Sequence, residues 1–231
     1  METSPQVMAL RGIQESVIES LVKHFPDATD IKVLDLGAGQ GALTKKVFER
    51  GYTTFACEMN IGNYIYDKVE CISTNVTDKL PFPDNELDAI VSSEVVEHLL
   101  DHKRFFQECY RVLKPHGKLI LSTPNILSLK SRLQFFASGY FWSFAPLDNS
   151  NRDGMQHVNA RSLEQYYYIA HEFGFHLVDT NTDKFQRTSK GLLIFLPLMY
   201  LISLAMRKNF WLQNTKKLML SRIIVMIFKK S

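Results

Sequence analysis

At 231 residues, with 45% hydrophobic and 22% charged residues, the chain has the composition of a folded protein with room for one large α/β core, which excludes wholesale disorder. Three cysteines (Cys57, Cys71, Cys109) without a Cys-x-x-Cys pair argue against a disulfide framework or a structural zinc, and for a reducing compartment. The net charge of +3 conceals a split: from Lys184 onward there are ten Lys/Arg and no Asp or Glu, while the preceding 183 residues hold 17 Lys/Arg against 24 Asp/Glu.

The start, METSPQVMAL, lacks the basic stretch and apolar run of a signal peptide. Residues 6–24 place Val7, Leu10, Val17 and Leu21 at helical spacing, with Ser4 and Pro5 as N-cap and first helical residue. IKVLDLG (31–37) reads as a buried strand and GALTKKVFERG (41–51) as a helix closed by Gly51. TTFACE (53–58), KVECIST (68–74) and LDAIVSS (87–93) read as strands, and residues 94–117 as a helix stopped by Pro115-His116-Gly117. KLILSTP (118–124) is the next strand. A helix near 126–137, a turn-rich loop to about 160, a helix over 161–173 and a strand from Phe175 to about Thr182 follow. SRIIVMIFKK (221–230) has the β-branched, apolar character of a buried last strand. Apolar strands alternating with helices imply βαβ units and a doubly wound α/β sheet. No internal repeat or low-complexity tract interrupts the pattern. Residues 183–220 are too long for a turn and read as an insertion.

The strongest chemical signal is VLDLGAGQG (33–41), a strand that runs through Gly37, Gly39 and Gly41 into a helix. Such glycines permit a tight turn and close approach of a ligand to the backbone, and anionic groups can lie against the helix's free N–H groups. Glu58 ends the next strand, 17 residues beyond Gly41, where a carboxylate accepts hydrogen bonds from both ribose hydroxyls of an adenosine ligand. Asn75 ends the third strand, where an amide can read adenine. The turn Leu80-Pro81-Phe82-Pro83-Asp84-Asn85 leads into the strand that carries Asp88. A dinucleotide fingerprint would need Gly-x-Gly-x-x-Gly; here the third glycine comes one residue early, and no second nucleotide-binding half follows.

With these motifs the chain resembles the class I S-adenosylmethionine-dependent methyltransferases, close to the quinone-biosynthesis and small-molecule O-methyltransferase branch. VLDLGAGQG stands for the first motif, Glu58 for the ribose acid, Asn75 for the adenine contact, and LPFPDNELDAIVSSEVVEHL with RVLKPHGKLILSTPN for the later motifs, over roughly residues 30–180. The resemblance implies a Rossmann-like, mostly parallel seven-stranded sheet of order 3-2-1-4-5-7-6 with the last strand antiparallel, and S-adenosyl-L-methionine as cofactor. The chain is expected to be a single domain over 1–231, with a helical insertion at 190–220 read from its own composition. The resemblance implies cofactor contacts from Asp35, Gly37, Ala38, Gly39, Gly41, Glu58, Met59, Asn75, Val76 and Ser93. Where the family usually has Asp, this chain has Asn75, so adenine contact through the Val76 backbone is expected as well.

Methyl transfer to a hydroxyl needs an oriented acceptor and a base. Ser92 and Ser93 end the fourth strand, and Glu94, Glu97 and His98 follow at i, i+3 and i+4, one face of the expected helix. His98 and, from the later loop, His157 are the candidate bases. The two carboxylates and two imidazoles resemble the metal site of small-RNA 2′-O-methyltransferases, a pattern also found in quinone-pathway enzymes, but no metal is assigned. Within the insertion, GLLIFLPLMYLISLAM (191–206) is apolar but only 16 residues long and broken by Pro197, so it is not read as a membrane span. Arg207, Lys208, Phe210, Trp211, Lys216 and Lys217 follow, a mixture that suits an in-plane membrane-surface segment, a lid over the site or a dimer contact. The expectation is a cytoplasmic transferase, peripheral at an anionic membrane through 190–220, acting on a small-molecule or lipid-linked acceptor. An RNA methyltransferase using the basic tail and a non-catalytic scaffold are the rivals, and nucleic acid is not the expected partner.

Overall fold

The computed structural model describes residues 5–6, 9–151 and 153–231. Seven strands form one sheet: β1 (Lys32–Leu36), β2 (Thr53–Glu58), β3 (Cys71–Ser73), β4 (Leu87–Ser93), β5 (Leu113–Pro124), β6 (Phe175–Asn181) and β7 (Ile223–Lys230). The order is β3-β2-β1-β4-β5-β7-β6, as the resemblance implies; β7 runs antiparallel between β5 and β6, and the other neighbours are parallel.

Among the described residues there are eight α-helices: α1 (Ile13–His24), α2 (Ala42–Phe48), α3 (His102–Val112), α4 (Leu129–Ser138), α5 (Leu163–Glu172), α6 (Arg187–Gly191), α7 (Leu196–Ala205) and α8 (Lys216–Leu220). Because parallel strands are covered on both faces, they read as continuous apolar runs, and Val33, Leu34 and Leu36 of β1 are all fully buried. One face carries α1 and α2: Ile13, Val17 and Leu21 repeat every four residues and pack with Leu43 and Val47 on Val33, Ile120 and Ile227. The other carries α3 and α5, where Phe105, Phe106, Cys109 and Tyr166 pack on Leu34, Phe175 and Phe228.

Three boundaries differ most from expectation. The first helix starts at Ile13, because Gly12 is a left-handed N-cap whose N–H donates to Glu15. Pro5, Gln6, Ala9 and Leu10 are not helical, and Ser4 and Val7 lie outside the described residues. The helix expected from residue 94 is absent until His102. Glu94 has a φ of 58°, a short 3-10 turn spans Val96–His98, and the Asp101 carboxylate caps α3 by accepting from Arg104 N–H. That helix ends at Val112, and β5 is already paired at Leu113 with Leu87, ahead of the Pro115-His116-Gly117 stop. Pro197 does not break the insertion; it sits in the first turn of α7, where a missing N–H costs nothing.

Candidate functional site

A cavity of about 660 Å³ opens at the carboxyl edge of the sheet, where β1, β2 and β4 end. Asp35, Gly37, Ala38, Gly39, Glu58, Met59, Asn75, Val76, Ser93, His98 and His157 all line it. Gly41 does not. Four carboxylates (Asp35, Glu58, Glu94, Asp101) stand in the wall, with no Lys or Arg among the described lining residues. A cavity so lined attracts a cation and repels a phosphate.

The glycine turn serves the fold more than the ligand. A Cβ at Gly37 would stand 2.5 Å from Val95 Cγ2, and one at Gly41 would stand 2.8 Å from the Tyr64 ring; both residues have positive φ. The Gly37 and Ala38 N–H groups donate to Cys57 O and the Gly39 N–H to Glu58 Oε2 at 2.8 Å, so the turn is tied to the end of β2 instead of offering an open anion cradle. The Asn60 N–H holds the other oxygen of Glu58. Asn75 uses its amide oxygen locally, accepting from both Thr77 N and Thr77 Oγ1. Its NH₂ group is what remains for a base edge.

Asp35 is the most perturbed acid of this wall. Burial pushes its carboxyl up to about 7; the Thr44 hydroxyl, donating to Oδ2 at 2.6 Å, opposes the rise and the Glu58 charge adds to it. Its Oδ1 is buried without a partner. A buried acceptor left bare costs free energy unless a ligand donor covers it.

On the acceptor side, the left-handed Glu94 and the 3-10 turn send Glu94 and Glu97 in different directions, so the expected common helix face does not exist. Glu94 accepts from Ser122 Oγ at 3.3 Å, while Glu97 is fully buried and accepts from Thr123 Oγ1 at 3.1 Å. Burial raises both carboxyls, and for Glu97 the neighbouring Glu94 raises it further. His98 and His157 meet edge to face at 4.7 Å between centroids. Burial lowers both imidazoles, and for His157 the charge of His98 adds to the effect. His98 Nδ1 lies 3.0 Å from Gln156 O; a carbonyl only accepts, so Nδ1 carries the proton and Nε2 is the bare base. Glu97, His98 and His157 place donor atoms within 4.8 Å of one another, and Glu97 Oε1 and His157 Nδ1 are buried without partners. Ser92 is structural, its hydroxyl donating to Leu36 O.

Residues 34–121 match a methyltransferase domain family. Over this stretch the chain is similar to S-adenosylmethionine-dependent methyltransferases. A probable S-adenosylmethionine-dependent methyltransferase of Mycobacterium tuberculosis is 36% identical over 107 residues, 43% of this chain and 38% of that one. The human mitochondrial ubiquinone biosynthesis O-methyltransferase is 28% identical over 148 residues, 58% of this chain and 40% of that one. The matches thus span well under half of those two relatives. A methyltransferase of Archaeoglobus fulgidus shares the fold at a TM-score of 0.64 and 18% identity, over 95% of this chain and 96% of that one. S-adenosylmethionine is the cofactor of the domain, and the residues present fit it. The cavity volume lies in the small-ligand range of about 300–1,000 Å³, the carboxylate wall suits an ammonium and a sulfonium, and the bare Asp35 oxygen awaits a donor.

Sequence reasoning missed the walls of the cavity that lie outside its motifs. Gln6, Ala9, Leu10 and Gln14 line it from the N-terminal side, and Ser143, Gly154 and Met155 from the loop before α5. The Gln6 N–H donates to Gln40 Oε1 at 2.9 Å, which ties this segment to the glycine turn. The helical spacing read over residues 6–24 pointed to a core-facing helix and not to a cavity wall, and the loop residues Ser143, Gly154 and Met155 carry no periodicity.

Proposed function

We propose that the chain transfers the methyl group of S-adenosylmethionine to an oxygen of a small or lipid-linked acceptor. The observation that carries the reading is the cavity wall, with four carboxylates, no described cation and a buried, unpartnered Asp35 oxygen. The bound cofactor supplies an electrophilic methyl and its own leaving group. Asp35 would take the cofactor's ammonium and Glu58 its ribose hydroxyls. His98, with Nε2 deprotonated, would take the proton from an acceptor hydroxyl, and the edge-to-face His157 would hold the imidazole in place. Oxygen as the target is supported by the human ubiquinone O-methyltransferase among the relatives.

Titration calorimetry with S-adenosylmethionine tests the cofactor half. Glu58→Ala is expected to weaken binding by about 1.5–3 kcal/mol, as for loss of a charged acceptor. Unchanged affinity would remove the ribose assignment, and absence of binding in the unmodified chain would leave a scaffold. Isotope-labelled cofactor and mass spectrometry of an extract would identify the methylated acceptor. A second reading rests on the Glu97–His98–His157 cluster, whose donors suit a divalent cation that would acidify the acceptor hydroxyl in place of a free base. Loss of turnover on chelation, restored by added magnesium or manganese, selects that reading; turnover indifferent to chelation selects the base.

A further inference from the structure

The insertion leaves the sheet at the edge that holds the cofactor cavity. The chain departs from β6 at Asn181 and returns into β7 at Ile223, which pairs with Pro124 at the carboxyl end of β5. Between them the helical run Arg187–Ala205 is 19 residues long with a mean hydropathy of 1.6. One side docks on the body: Leu192, Leu193, Leu196 and Met199 pack around Leu129, Met219 and Leu220. Among the described residues the other side has no cover. No residue of α7 is buried, and Ile194, Leu198, Leu201 and Leu204 are 56–78% exposed. A helix that is apolar all round and buried nowhere lacks its apolar surroundings.

The bare surface extends beyond the insertion. The Arg132 guanidinium on α4 donates to Asn214 Oδ1 and Gln213 O, binding α4 to the turn that exposes Trp211 and Leu212. The next turn of α4 exposes Phe136 at 88%, and the chain then runs through Phe141, stacked on Phe135, to Ser143 in the cavity wall. The sequence from Lys184 to Leu220, which carries most of this face, has seven Lys/Arg and no acid; Glu164 of α5 stands beside it, accepting from Gln213.

We propose that this face rests in the plane of an anionic bilayer surface, with α7, the Trp211 turn and the end of α4 sunk to the level of the headgroups. The charge decides between occupants. A second copy docking the same face across a two-fold axis would set cations against cations, whereas an anionic leaflet complements both the apolar centre and the basic surround. The topology decides between lying and crossing. Both ends of the insertion return to adjacent antiparallel strands at one sheet edge, so a single crossing is impossible. Resting on the methyltransferase reading, the placement also narrows the acceptor to an amphiphile whose hydroxyl reaches the cavity from the lipid side, past Ser143, Met155 and His157.

The test uses the full chain with Trp142→Phe, so that Trp211 is the sole tryptophan. With phosphatidylcholine–phosphatidylglycerol vesicles at low salt, Trp211 emission is expected to move to the blue and the protein to float with the lipid, less so at high salt and with phosphatidylcholine alone. Leu201→Glu with Leu204→Glu is expected to reduce partitioning by on the order of tenfold or more. Arg207→Glu with Lys208→Glu is expected to abolish the preference for anionic lipid. Cofactor calorimetry on both variants should match the parent, which shows an intact fold and separates this test from that of the methyltransferase reading. The proposal is overturned if the parent stays in the supernatant with both vesicle types. It is equally overturned if the leucine variant dissolves a dimer without altering lipid binding, or loses cofactor affinity as a lid would.

Discussion

Asp35 sets the pH response of the site. Its carboxyl keeps its proton up to about pH 7 in the folded chain and releases it near the ordinary 3.8 when unfolded. The folded state therefore binds more protons between those values, so the stability of the ligand-free fold falls as pH rises from about 4 to 7 and levels above. Asp35→Asn should reduce that slope in urea melts across pH, leaving the share that the raised Glu94 and Glu97 carboxyls contribute. If the ionised carboxylate meets the cofactor's ammonium, binding selects the deprotonated form. Affinity should then rise with pH, by up to about tenfold per unit below 7 and level above, with proton release visible in calorimetry across buffers. Affinity independent of pH would place the ammonium elsewhere. Burial lowers the His98 imidazole below the ordinary 6.5, so it is neutral at neutral pH. Turnover should climb through a pKa below 6.5 and stay level above it, and His98→Ala should cut it by about 10²–10⁴-fold while leaving cofactor binding intact. A profile flat through that range in the parent would exclude a histidine base.

The β1–α2 turn shows how an element can be legible while its reason is not. Gly37 was readable as a conformational requirement, and the structure traces it to Val95, whose methyl occupies the place of a Cβ. Gly37→Ala should cost about 1–2 kcal/mol for the left-handed backbone plus the overlap with Val95, and should cost less in a Val95→Ala background. Equal costs in the two backgrounds would reject the contact, and lost cofactor affinity with unchanged stability would restore a ligand-approach role. Strands were legible because two-sided burial writes itself as unbroken apolar runs: β2 and β4 fall on the residues expected. The segment after β4 was not, because residues 94–112 hold no Gly or Pro to mark a break, yet the stretch before His102 folds as a 3-10 turn and an extended link. Asp101, an N-cap residue type, was the local signal for the true start of α3. The candidate site residues were found through motif spacing, yet the pairing of His98 with His157, 59 positions apart, depends on a loop without periodicity and is visible only in three dimensions.

At the scale of the molecule, the insertion, the N-terminal segment and the last strand meet at one buried ion pair. The Arg222 guanidinium donates to Asp183 Oδ2 and to Arg11 O, joining the end of β6, the start of β7 and the residue before the α1 cap. The side chains are only 9% and 1% exposed, so water screens the pair little and salt should matter little. Breaking one partner of such a pair leaves the other charge buried and uncompensated, at about 3–5 kcal/mol. Asp183→Asn should therefore lower stability by that order in urea unfolding. It should also free residues 9–12 for proteolysis under native conditions and weaken cofactor binding, since Ala9 and Leu10 form part of the cavity wall. Asp183→Asn with Arg222→Met removes both charges and should recover most of the stability while leaving the N-terminal segment untied, because the donor to Arg11 O is gone. A double variant as unstable as the single one would show that packing at this junction, and not the uncompensated charge, holds the three segments together.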